Sequence, residues 1–200
     1  MKRLALTGGF ATGKSTVARM FMEAGIPWIN ADELVHQLMA PGTTVWEEIV
    51  EAFGQSILKA DRTIARDRLG DIIFADPQKQ ARLEAIIHPR VRQQILEKVR
   101  RLEAAGEKAV LLEIPLLFEA GWDQEEKWDA IIVVTCDAKT QAKRARQKFG
   151  FNEKEIRARL NAQLPMQAKV KRADFVIDNN GTHEETKKQV HGVKSQVDKN

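Results

Sequence analysis

The sequence predicts a three-layer α/β/α fold on a mainly parallel five-stranded sheet, with one helical lobe inserted into it and a second helical segment forming a lid. Two observations carry this. Short apolar, β-branched runs alternate with helical patterns, as in successive βαβ units. Two long stretches, about 32–105 and 138–172, interrupt the alternation with helical start and stop signals and no convincing strand. Two hundred residues suffice for one well-cored domain carrying such lobes, so 1–200 is expected to be a single domain.

The expected strands are Arg3–Thr7, Pro27–Asn30, Ala109–Ile114, Ala130–Thr135 and Phe175–Ile177. Each is short and mostly apolar, as helices on both faces of a sheet require. After the first strand, Val17, Met20, Phe21 and Ala24 recur at helical spacing, and Gly25 marks a stop. In the inserted lobe, Thr44-Val45-Trp46-Glu47 reads as a capping box with Gly54 ending its helix. A stripe of Val91, Ile95, Val99 and Leu102 follows a break at His88-Pro89. Residues 139–172 carry eleven basic side chains against two acidic ones, and Asn152-Glu153-Lys154-Glu155 caps a helix among them. Val190, Val193 and Val197 form a weak C-terminal stripe.

With 43% hydrophobic and 30% charged residues the composition is that of a globular chain, which excludes intrinsic disorder. No uncharged apolar run approaches the ~20 residues of a membrane span. Met1-Lys2-Arg3-Leu4-Ala5-Leu6 starts like a signal peptide, but its apolar stretch stops at Thr7-Gly8-Gly9. A lone cysteine, Cys136, forms no internal disulfide, which points to a reducing, cytoplasmic setting. It follows the fourth apolar run and is read as a small buried apolar residue. The net charge of +4 and pI near 9.2 fit a partner that carries phosphates.

Gly8-Gly9-Phe10-Ala11-Thr12-Gly13-Lys14-Ser15 fits the phosphate-loop pattern of glycine, four residues, then Gly-Lys-Ser/Thr. The glycines let the backbone turn its N–H groups toward phosphate oxygens. The helix that follows offers its free N–H groups and positive dipole end to the same anion. Lys14 brings a point charge to the β- and γ-phosphates, the Ser15 hydroxyl is a ligand for Mg²⁺, and Thr16 adds a donor. The pattern follows a strand and opens an amphipathic helix, which is the context it needs. The fold is thus expected to be of the P-loop NTPase type, with Gly8, Gly9, Ala11, Thr12, Gly13, Lys14, Ser15 and Thr16 on the nucleotide.

A phosphate loop alone does not separate a kinase from a switch or a motor. The sequence has no Asn-Lys-x-Asp guanine-reading motif. Asp67-Arg68-Leu69-Gly70 and Asp178-Asn179-Asn180-Gly181 match the loose Asp-x-x-Gly pattern at unsuitable positions. Glu113, ending Val110-Leu111-Leu112-Glu113, either assists a metal through water or simply ends a strand. A nucleic-acid module is disfavoured, because no zinc, RRM or helix-turn-helix signature accompanies the basic segment. Beside a phosphate loop, such a segment serves as a lid over the triphosphate. Asp32, just past the second strand, is either the N-cap of a helix over Glu33–Met39 or a base for an attacking hydroxyl.

Several segments in order resemble the dephospho-coenzyme A kinase family. They are Leu6-Thr7-Gly8-Gly9 leading to Gly13-Lys14-Ser15-Thr16, Asn30-Ala31-Asp32, Arg66 through Gly70-Asp71-Ile72-Ile73-Phe74, Ile87-His88-Pro89 and Pro115-Leu116-Leu117-Phe118-Glu119. Gln141-Ala142-Lys143-Arg144, Arg159 with Gln163, and Ala173 through Asn179 complete the set. The resemblance implies MgATP-dependent phosphorylation of the ribose 3′-hydroxyl of dephospho-coenzyme A, with ATP and dephospho-coenzyme A as partners and neither nucleic acid nor membrane. It implies catalytic roles for Lys14, Asp32 and Arg144, and nucleotide contacts from Arg144, Arg159 and Asn179. It places Asp32, Arg66, His88, Leu117 and Glu119 on the acceptor, although His88 beside Pro89 also reads as a helix-entry residue. Ala11 and Asn30 depart from the family's usual glycine and aspartate. A nucleoside monophosphate kinase, which would use the lobe to hold an acceptor phosphate, is the alternative enzyme.

Overall fold

The computed structural model describes residues 1–199. Five strands, β1 (Lys2–Gly8), β2 (Trp28–Asn30), β3 (Ala109–Glu113), β4 (Ala130–Thr135) and β5 (Phe175–Asp178), form one sheet in the order β2-β3-β1-β4-β5. Every pairing is parallel. The expected strands are all present; β1 and β5 run one residue further at one or both ends, and β2 and β3 lose Pro27 and Ile114. Leu4, Ala5, Leu6 and Thr7 are all fully buried. Successive side chains of a strand point to opposite faces, so helices cover both sides of β1.

On one face, α1 (Lys14–Glu23) and α10 (His183–Lys199) pack Val17, Ala18, Phe21 and Val190 onto Leu4, Leu6, Ile132 and Ile177. Helix α1 stops where the sequence indicates. Gly25 takes φ 87°, its N–H reaches the Met22 carbonyl, and the Ile26 N–H reaches that of Phe21. This pair of bonds satisfies the last carbonyls of the helix. The remaining helices around the sheet are α6 (Trp122–Glu125), α7 (Ala138–Phe149), α8 (Glu153–Asn161) and α9 (Met166–Val170). Asn152 and Glu155 form the expected capping box at α8.

The chain separates into two compact units. One comprises Met1–Asn30 with the chain from Leu102 onward, and the other comprises Ala31–Arg101. The second holds α2 (Ala31–Leu38), α3 (Thr44–Phe53), α4 (Arg66–Phe74) and most of α5 (Pro77–Ala104), with a 3-10 turn at Gln55–Ile57 and an isolated bridge between Leu58 and Ile64.

Three local expectations for this unit are corrected. Helix α2 starts at Ala31, directly after β2, so Asp32 lies within its first turn and is not its N-cap. β2 ends at Asn30, so no connecting residue separates strand from helix. At α3 the cap is Thr43, one residue earlier than expected, because its hydroxyl accepts the Trp46 N–H at 3.1 Å while also reaching the Ala40 carbonyl. Pro89 does not break the chain; it lies inside the 28-residue α5. A proline there sacrifices one helical hydrogen bond and costs about 3 kcal/mol. Burial of Leu83, Ile87, Val91, Ile95 and Val99 along one face offsets it, each such side chain contributing about 1.5–3 kcal/mol. His88 is accordingly a mid-helix residue and not a helix-entry residue.

The cap assignment predicts that Thr43→Ala lowers unfolding free energy by about 1 kcal/mol whereas Thr44→Ala is almost silent. Urea midpoints of the two variants measure this, and equal midpoints would contradict it.

Candidate active site

The phosphate loop lies between β1 and α1, at the carboxyl edge of the sheet. From β1 the chain builds β2 and β3 on one side and β4 and β5 on the other. Ligands of open α/β sheets bind at such a reversal point. Gly8 and Gly13 have no room for a side chain: a Cβ would come 2.3 Å from the Val134 carbonyl oxygen at Gly8 and 2.2 Å from Asn179 Nδ2 at Gly13. Gly13 is left-handed at φ 93° and opens α1 without a side-chain cap, leaving that helix end to a ligand. Ala11 is also left-handed, at φ 55°. For a residue with a Cβ this costs about 1–2 kcal/mol.

Three of the loop's carbonyls are held by side chains, one from within the loop and two from outside it. Gly9 O accepts from Thr12 Oγ1 at 3.0 Å and Lys14 Nζ at 3.0 Å. Phe10 O accepts from Gln141 Nε2 at 2.8 Å. Thr12 O accepts from both Asn179 Nδ2 at 2.8 Å and Arg144 Nη1 at 3.1 Å, and Arg144 Nη2 also donates to Asn179 O at 2.8 Å. Buried Thr186 fixes the amide of Asn179 by donating to its Oδ1 at 3.1 Å. With the Phe10 N–H also held, by Gln163 Oε1 at 2.9 Å, the N–H groups at the uncapped start of α1 are the ones offered to an anion.

Ser15, the second residue of α1, donates through its hydroxyl to Glu113 Oε1 at 2.9 Å. Glu113 is 3% exposed, and its other oxygen lies 3.4 Å from Asn30 Nδ2. β2 and β3 pair Asn30 with Glu113 in register, so the arrangement follows from the sheet itself. Thus Asn30, in place of the aspartate usual in the resembled family, meets Glu113 as a donor, where an aspartate would bring a second negative charge. Ser15 and Glu113 supply two hard oxygens beside a phosphate cradle, which suits Mg²⁺, an ion that takes few protein ligands and shares nucleotide oxygens. Among the described residues no group of three or more His, Cys, Asp or Glu side chains forms a metal cage by itself.

The other expected site residues separate into two groups. Arg144 and Asn179 lie against the loop as described. Arg159 stands 3.8 Å over the ring of Phe151 within the basic segment. Glu119 accepts the Leu164 N–H at 2.9 Å and lies 2.7 Å from Lys169 Nζ, a fully buried lysine in α9. That approach makes an ion pair without hydrogen-bond alignment. Leu117 is fully buried, its side chain packed in the core. In the second unit, Arg66 opens α4 with Nη2 at 2.8 Å from His36 Nδ1, Asp32 is exposed in the first turn of α2, and His88 is half-buried in α5. Cys136 is half-buried, and burial raises its thiol pKa against the opposing charge of Arg144, which keeps it a neutral thiol at neutral pH.

Sequence reasoning missed Thr186, Lys169 and Phe10. A threonine in a C-terminal helix and one lysine among eleven basic residues carry no signal. An aromatic between phosphate-loop glycines is a weak one. From the left-handed Ala11 we expect Ala11→Gly to raise unfolding free energy by about 0.5–1 kcal/mol, strain relief exceeding the added chain entropy. A urea midpoint equal to or below that of the parent chain would contradict this.

A family model described as Dephospho-CoA kinase matches residues 3–185. A relative from Geobacillus kaustophilus named Dephospho-CoA kinase is 45% identical over 196 residues, covering 98% of this chain and 96% of its own length. Among solved structures, TT1252 from Thermus thermophilus aligns with a TM-score of 0.86 and 31% identity over 98% of this chain and 97% of its own. A dephospho-CoA kinase from Campylobacter jejuni aligns with a TM-score of 0.70 and 30% identity over 100% and 98% of the two chains. With a phosphate loop set on a parallel sheet and matches of this extent, the chain belongs to the dephospho-CoA kinase family, and is a phosphotransferase of the P-loop kinase fold.

Proposed function

We propose that the chain transfers the γ-phosphoryl group of ATP to the ribose 3′-hydroxyl of dephospho-coenzyme A, giving coenzyme A. The observation that carries this is the 45% identity to a named dephospho-CoA kinase over almost the full length, in a chain whose phosphate loop is built and braced. The loop N–H groups and the start of α1 bind the triphosphate. Lys14 exchanges its loop carbonyls for phosphate oxygens and offsets charge in the transition state. Ser15 and Glu113 hold the Mg²⁺, which supplies neutralising charge to the phosphates.

Asp32 accepts the proton of the attacking hydroxyl; its carboxylate, two residues past β2 in the first turn of α2, supports this reading. Arg144 stabilises charge on the phosphoryl group in transit. The unit Ala31–Arg101, with Arg66 and His88, holds the acceptor. The lone cysteine fits a reducing cytoplasm, and no described helix is long and apolar enough to cross a membrane.

Offered dephospho-coenzyme A, AMP, CMP and shikimate in competition with MgATP, the protein is expected to phosphorylate the first. Phosphorylation of AMP or CMP instead would overturn the reading. Asp32→Asn should then lose about 100-fold or more in turnover while its melting temperature and ATP binding stay close to those of the parent. An active Asp32→Asn enzyme places the base elsewhere.

A further inference from the structure

One residue of the phosphate loop is held by the basic segment at its N–H, its carbonyl and its ring. The Phe10 N–H donates to Gln163 Oε1 at 2.9 Å, and the Phe10 carbonyl accepts from Gln141 Nε2 at 2.8 Å. The Phe10 ring stacks on Phe149 at 5.5 Å between centroids and tilts against Phe151 at 6.0 Å. Phe149 and Phe151 stack on one another at 5.3 Å with 17° between planes. Gly150 makes that pair possible: its left-handed φ of 68° ends α7 and returns the chain beside its own last residue.

Neighbouring residues keep this arrangement. The Arg159 guanidinium covers Phe151, so the aromatic group sits under a cation. A Cβ at Gly9 would meet Met166 Cε at 2.7 Å and Gln141 Nε2 at 2.9 Å, so the segment approaches the loop backbone closely. Gln141 and Arg144 are three residues apart on α7 and share a face. Whatever fixes Gln141 on Phe10 therefore fixes Arg144 on the loop one residue pair further along.

We propose that Phe10 is a positioning residue for phosphoryl transfer. Its ring, clasped by Phe149 and Phe151 and locked by Gln141 and Gln163, registers the basic segment on the phosphate loop and so presents Arg144 to the phosphoryl group. Phe10 itself touches no reactant. The basic residues of the segment repel one another over a loop that already carries Lys14, so charge alone does not seat the segment before nucleotide arrives. The aromatic clasp supplies the attraction that does not depend on phosphate. The kinetic part of this inference rests on the function proposed above, while the clasp itself does not.

Two measurements on Phe10→Ala, Phe10→Tyr, Phe151→Ala and the Phe10→Ala/Phe151→Ala pair test it. In ligand-free protein, amide hydrogen exchange across Ala138–Asn161 should rise about tenfold in Phe10→Ala and Phe151→Ala but not in Phe10→Tyr, which keeps the ring. Exchange unchanged in Phe10→Ala overturns the clasp, whatever the acceptor proves to be. In steady-state kinetics, each alanine variant should lose about tenfold in kcat with KM for ATP within about twofold, and the double variant should lose no more than the worse single one. Additive losses, or a loss confined to KM, overturn the positioning role. A parent protein inactive on dephospho-coenzyme A defeats the function proposed above and leaves the exchange result standing. Should Phe10→Ala not fold, Phe151→Ala tests the same stack from its other side.

Discussion

The site depends on donors for the phosphate-loop carbonyls that turn outward, supplied partly by the loop's own side chains and partly by the elements around it. A short backbone segment that turns N–H groups inward must turn carbonyls outward, and carbonyls buried without partners cost about 1–3 kcal/mol each. Here Gly9, Phe10 and Thr12 are answered by Thr12, Lys14, Gln141, Arg144 and Asn179. These donors come from the loop itself, from α7 and from the residue after β5. The anion cradle is therefore a property of the sheet and its helices together and not of the glycine pattern alone.

Two features follow from that bracing. Ala11 persists in a left-handed conformation because its neighbours on both sides are fixed, the circumstance in which local strain survives at functional sites. The contact between Asn30 and buried Glu113 is set by strand register, since β2 and β3 bring the two residues opposite one another, and Ser15 of α1 meets the same carboxylate. The departure from aspartate at Asn30 then has a physical reading. An amide donates to the Glu113 carboxylate where a second carboxylate would repel it.

The strands and the phosphate loop were legible because they rest on period and local geometry: apolar runs bounded by turn residues, and glycines where a Cβ would strike Val134 or Asn179. What was illegible depended on long-range packing. Thr43 and Thr44 have the same side chain, and only the fold decides which caps α3. Pro89 reads as a break until the buried face of α5 is seen to run through it. Lys169 reads as one more lid cation, yet it is fully buried against Glu119. Leu117 and Glu119 belong to a stretch resembling the family, and the structure gives the one to the core and engages the other with Lys169 and Leu164. Arg144 and Asn179 were nominated for the nucleotide, and the contact through which they act on the loop, the Thr12 carbonyl, has no sequence signal.

If outside donors shape the cradle, removing one should weaken nucleotide binding without unfolding the protein. Asn179→Ala is the sharpest case, because Thr186 retains the Thr182 carbonyl as a partner and Gly13 gains space. Titration calorimetry of MgATP into this variant, with thermal unfolding run alongside, measures the effect directly. The account predicts about tenfold weaker binding from a loss of roughly 1.4 kcal/mol, in a protein that still unfolds cooperatively. ATP affinity equal to that of the parent chain would contradict it.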